Sequence, residues 1–157
     1  MSDWSLPPES RRSPAEPRPG VELVEVRWDE RLGVALISHP AGLSLATPEH
    51  VELWRQEVFQ KLTLLERARG GRFPIVVCVD GFSIRPSVAE HYGKVVTAYS
   101  ERFASGLARY GERPNGVGQI ITVAAMQQGY RANLFGSRSE AVAHALAEAS
   151  GGRSRRN

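Results

Sequence analysis

The sequence predicts an α/β domain: a four-stranded mixed sheet, made of an N-terminal hairpin followed by a βαβαβα run, packed with about three helices. Three observations lead there. The stretch from Phe73 to Val79 is an almost unbroken apolar run that halts at Asp80-Gly81, the pattern of a strand covered on both faces. Amphipathic stretches with apolar residues at steps of three and four lie on either side of it. Near the N-terminus, Val24, Val26 and Trp28 alternate with Glu25, Arg27 and Asp29, as in a strand with one buried face.

Taken in order, residues 1–20 hold five prolines and three arginines with little that packs, and read as a disordered leader. After the alternating strand, Asp29–Gly33 reads as a turn and Val34–Ser38 as the returning strand of a hairpin. Thr47-Pro48-Glu49 has the residues of a helix start: an N-cap hydroxyl, proline at the first helical position and an acid in the first turn. Val51, Trp54, Val58, Leu62 and Leu65 form its buried stripe, and Gly70-Gly71 ends it. The central strand follows. Pro86-Ser87 opens a second helix whose stripe, Val88, Tyr92, Val95, Tyr99, Phe103 and Leu107, predicts a run to about Tyr110-Gly111. Glu112–Gly116 reads as a polar loop and Val117–Ala125 as a second buried strand. Ser137 to Glu140 has capping-box spacing before a short alanine-rich helix over Ala141–Ala149. One domain over residues 21–150 is expected, with a disordered basic tail at 151–157.

The net charge of +3 resides on Arg153, Arg155 and Arg156, while the rest of the chain is neutral. A neutral body lacks the basic face of a specific nucleic-acid binder. The single cysteine, Cys78, sits inside the apolar strand and cannot form an internal disulfide, which fits a reducing compartment. The N-terminus lacks the apolar core of a signal peptide and no apolar run is long enough to span a bilayer, so a cytoplasmic protein without a transmembrane segment is expected.

Little in the chain resembles catalytic machinery. His39, His50, His91 and His144 share no ligand spacing with one another or with Cys78, so no metal site is expected. Gly111, Gly116 and Gly118 precede the last strand without completing a phosphate-binding fingerprint, and no cofactor is expected. Asp80, Ser83 and His91 contain the residue types of a hydrolase trio but lack the GxSxG elbow. What stands out is the polar loop Asp80–Ser87, at the carboxyl end of the central strand, where open α/β sheets place their working residues. Asp80 and Ser87 also suit plain turn and cap roles. A phosphate on a serine here would lie beside a helix N-terminus, which favours negative charge.

The order of elements, the strand ending in Asp80-Gly-Phe-Ser83, the Ala-Arg109-Tyr110-Gly111 segment and the closing Leu134-Phe135-Gly-Ser-Arg-Ser-Glu-Ala141 resemble the SpoIIAA-like STAS superfamily over about residues 21–149. That group includes bacterial anti-sigma factor antagonists. The resemblance implies a signalling module without enzymatic activity, whose partner is a kinase-like anti-sigma factor or a sensor. In the antagonists a serine after the central strand, in an Asp-Ser-Ser-Gly type motif, is phosphorylated. This chain departs from that motif, with Gly81-Phe82 between Asp80 and Ser83 and Ile84-Arg85-Pro86 before Ser87. Ser83 is the better match for a phosphoacceptor and Ser87 the second, and Asp80, Gly81, Phe82 and Arg85 are expected to form the partner-binding loop. The wider superfamily also resembles lipid-transfer domains of the CRAL-TRIO kind. The alternative is therefore a small-ligand or lipid carrier whose pocket is lined by Phe82.

Overall fold

The computed structural model describes residues 16–112 and 133–156, the side chains of 152–156 excepted. Strands β1 (Glu25–Asp29) and β2 (Val34–Ser38) form the expected hairpin. Its turn closes through the Gly33 N–H on the Asp29 carbonyl and the Leu32 N–H on the Asp29 carboxylate, with Gly33 in the left-handed region at φ 73°. A short strand β3 (Leu43–Leu45) leads into helix α1 (Pro48–Arg69). Thr47 caps this helix by accepting the His50 N–H, and Gly70, at φ 79°, ends it by donating to the Glu66 carbonyl.

The central strand β4 (Phe73–Cys78) follows, then a second short strand β5 (Phe82–Ile84), a 3-10 turn over Pro86–Val88 and helix α2 (Ala89–Phe103). Strand β6 (Ala104–Tyr110), strand β7 (Leu134–Phe135) and helix α3 (Arg138–Arg156) complete the described chain. Among the described residues the main sheet has five strands in the order β1-β2-β4-β6-β7, antiparallel at the first pair and parallel elsewhere, where four strands are expected from the sequence. Strands β3 and β5 pair in parallel as a separate ribbon.

Two further expectations are corrected. The second helix stops at Phe103, and the residues expected to continue it form β6 alongside β4. Leu107 satisfies both readings: four residues beyond Phe103 it extends a helical stripe, yet in β6 it faces the same core. Ser105-Gly106 is poor helix sequence, and pairing with β4 decides the matter. The last helix, expected over 141–149, runs from Arg138 to Arg156 and takes in most of the expected tail. Its start has Ser137 accepting the Glu140 N–H and donating its hydroxyl to the Glu140 carboxylate. The strand expected over Val117–Ala125 lies outside the described residues.

The sheet separates two cores. On one side Ile37, Ile75, Val77 and Leu107 pack against α1 and α2 through Trp54, Val58, Leu62, Val96 and Phe103. On the other, Val34, Leu36, Val76 and Ala108 meet Ala141, Val142 and Ala145 of α3. Alternate residues of β4 thus bury on opposite faces, as its apolar run implies. Pro74 cannot donate to a ladder, and the β4–β6 register shifts between Phe73 and Pro74.

Helix α3 sits unusually close to β6. A Cβ on Gly106 would lie 2.1 Å from the Ala145 carbonyl oxygen and 3.1 Å from the Ala149 nitrogen. Where β7 does not reach, side chains satisfy the outer edge of β6: Glu148 accepts the Leu107 N–H at 2.8 Å and Asn133 donates to the Leu107 carbonyl at 3.0 Å. Replacing Gly106 by alanine should push α3 outward and cost about 3 kcal/mol, as overpacking of a tight core does. Urea unfolding of the variant tests this; wild-type stability would show that α3 can shift without loss.

Candidate functional site

At the carboxyl edge of the sheet, β2 and β4 each run into a glycine turn and a three-residue strand before their helices. Gly42 (φ 82°) donates its N–H to the Gly81 carbonyl at 2.8 Å, and Gly81 itself has φ 73°. A Cβ on Gly81 would come within 3.3 Å of the Ala41 Cα, so the two turns meet through backbone. From there Leu43 pairs with Phe82, Ser44 with Ser83 and Leu45 with Ile84, and the Arg85 N–H reaches the Leu45 carbonyl.

Strand alternation gives this ribbon two unlike faces. Leu43, Leu45, Phe82 and Ile84 point inward and are buried. Ser83 and Arg85, two residues apart, are exposed, and so is Ser87 in the 3-10 turn ahead of α2. Ser87 caps neither helix, since no side-chain cap bond is made at Arg85 or Val88. Phe82, expected in a partner-facing loop, is only 1% exposed and belongs to the core.

Beneath the ribbon lies an aromatic cluster centred on His39. The imidazole stacks on Phe82 with ring centroids 4.1 Å apart and planes 7° from parallel. The Trp54 indole N–H donates to His39 Nε2 at 3.3 Å, and His39 Nδ1 lies 3.4 Å from the Cys78 carbonyl. Indole can only donate, so Nε2 carries the lone pair and Nδ1 carries the proton. This neutral tautomer satisfies both nitrogens. Trp54 then stacks on Tyr92, with Tyr99 edge-on. Arg109 of β6 is wholly buried on this side and hydrogen-bonds the Tyr99 hydroxyl. Burial pushes the Tyr99 phenol up, while the charge and hydrogen bond of Arg109 oppose the rise.

Asp80 works within the scaffold. Its carboxylate accepts the Glu112 N–H at 3.0 and 3.2 Å and lies 3.7 Å from the Cys78 thiol. The Val79 N–H bonds the Tyr110 carbonyl beside it. Tyr110 is pushed up to about 12, first by burial and then by its hydrogen bond to Cys78. His91 is in electrostatic reach of Glu52 on α1, whereas Asp80 is engaged at the end of β6. The described contacts therefore do not gather Asp80, Ser83 and His91 into one site. Among the described residues no group of three His, Cys, Asp or Glu side chains is placed to hold a metal ion, and no helix is long and apolar enough to cross a membrane.

Sequence reasoning missed His39, Trp54, Tyr99 and Arg109 as a connected group. Reading Leu107-Ala108-Arg109 as strand, with Leu107 inward, places Arg109 on the same inner face. Compared with known proteins, the chain matches no family model, no curated protein and no solved structure.

Although His39 as a residue keeps some solvent exposure, its imidazole is enclosed. Burial pushes it from the ordinary 6.5 down to about 4, against the opposing pull of the Cys78 carbonyl. As pH falls below 6.5, the unfolded chain takes up a proton that the folded chain refuses until about pH 4. The contribution of His39 is thus complete above pH 6.5 and fades to a loss of about 3 kcal/mol near pH 4. Unfolding free energies across that range, compared with His39→Gln, should show the steeper decline in the wild type; parallel curves would remove His39 as its cause.

Proposed function

We propose that this chain is a non-enzymatic regulatory module that binds a protein partner through the outer face of the β3–β5 ribbon and the exposed side of α2, in the manner of anti-sigma factor antagonists. One observation carries the reading: Ser83 and Arg85 stand exposed along a ribbon anchored in the core by Phe82 and Ile84, and Ser87 stands exposed in the 3-10 turn just beyond it. Such a surface presents its side chains from a backbone already held in place, so little backbone entropy is lost when a partner binds.

Phosphorylation of Ser83 is the proposed switch. Ser83 and Arg85 alternate onto the same outward face, so the guanidinium is available to a phosphate on Ser83. Ser87 is the second candidate; it precedes α2, whose first-turn amides favour an anion although Glu90 opposes it. The nearby Asp80 carboxylate is already occupied by the Glu112 N–H. The alternative of a small-ligand or lipid carrier draws no support from Phe82, which packs on His39 and Tyr92.

The test is phosphosite mapping of the protein from its native host, followed by binding titrations with the partner recovered there. Modification is expected at Ser83 or Ser87. Ser83→Asp should weaken partner binding by about tenfold, as a misplaced interfacial charge does, while Ser83→Ala binds like the wild type. Unmodified serines together with unchanged affinity for Ser83→Asp and Ser87→Asp would overturn the proposal.

A further inference from the structure

The opposite, amino edge of the sheet holds a cleft of about 420 Å³, within the range of small-molecule sites. It opens between the β1–β2 turn, the α1–β4 connection and the second half of α3. Phe73, Pro74 and Ala149 contribute apolar surface, Ser105 and Ser150 contribute hydroxyls, and the partly exposed Leu146 lies at its side. Arg69 and Arg72 supply the charge, and no acidic residue lines the cleft among the described residues.

Among the described residues each arginine has one anchoring contact. The Arg69 guanidinium carbon lies 4.0 Å from the ring centroid of Trp28, a cation–π contact that holds it over the indole. Arg72 donates one arm to the Ala104 carbonyl at 2.6 Å. Neither forms an ion pair with a described residue. A guanidinium carries five donors in a rigid fork, so each anchored side chain keeps donors for an oxyanion. Arginine in the last turn of a helix commonly just complements the helix dipole, and Arg69 does so. Arg72 does not fit that account: it lies past Gly70-Gly71 and reaches across to β6. The Trp28 indole nitrogen is also buried with no hydrogen-bond partner among the described residues.

We propose that this cleft binds a small oxyanion carried on an apolar body, an aryl carboxylate or aryl phosphate, with Arg69 and Arg72 gripping the anion and Pro74 and Leu146 receiving the apolar part. The site is separate from the ribbon at the carboxyl edge and does not rest on the function proposed for it.

The test is an amide-NMR titration of the full chain with benzoate and with phenyl phosphate, using benzyl alcohol as the neutral match. At least one anion should bind saturably with a Kd of about 1 mM or tighter, and shifts should be concentrated at Gly33, Ser105 and Ser150. The preferred anion tells carboxylate from phosphate. Arg69→Gln and Arg72→Gln should each weaken binding about tenfold, the scale of a charge-assisted hydrogen bond, and Arg72→Lys should recover part of the loss. Failure of both anions to saturate, equal binding of benzyl alcohol, or unchanged affinity in folded variants would overturn the proposal. The comparison of anions with the alcohol uses only wild-type protein, so it decides the matter even if a variant fails to fold.

Discussion

Strand β4 is the constraint on which the rest of the molecule depends. Its backbone is paired in parallel on both sides, with β2 and β6, so no edge of it meets solvent. Its side chains alternate between a core under α1 and α2 and a core under α3. A polar residue at Ile75, Val76 or Val77 would be buried whichever way it pointed. Polar side chains reappear only where the pairing ends, and Asp80 there becomes a tie to the end of β6.

The ribbon beyond β4 shows how a loop acquires a fixed shape. Three-residue strands have almost no stability of their own. Here they are anchored by four buried apolar side chains and by the His39 cluster, whose neutral imidazole joins Trp54 of α1 to the Cys78 carbonyl at the end of β4. Tyr92 and Tyr99 extend the contact to α2, and Arg109 extends it to β6. The exposed serines thus stand on a platform tied to α1, β4, α2 and β6.

What could be read from the sequence was local. The Thr47 cap, the Gly70 stop, the Asp29–Gly33 turn and the apolar run of β4 each carry their instruction within a few residues. Strand β6 could not be read that way, because Phe103 and Leu107 fit helix and strand equally and only pairing with β4 separates them. The ribbon was hidden for a similar reason: Leu43-Ser44-Leu45 and Phe82-Ser83-Ile84 share an apolar-serine-apolar pattern, but each is a strand only because the other lies beside it. The position of the Asp80–Ser87 loop at the strand tip was legible. The inward turn of Phe82 and the engagement of Asp80 depend on neighbours about 40 and 30 residues away along the chain, His39 and Glu112.

The hairpin at the sheet margin carries a last consequence. Among the described residues strand β1 has only β2 beside it, so its other flank is a template for a stray strand from another molecule. Glu25 and Arg27 project from that rim into solvent, and Lys61 caps the Val24 carbonyl where the rim begins. An incoming apolar strand would have to bury both charges without partners. The charges thereby guard this border against amyloid-like stacking.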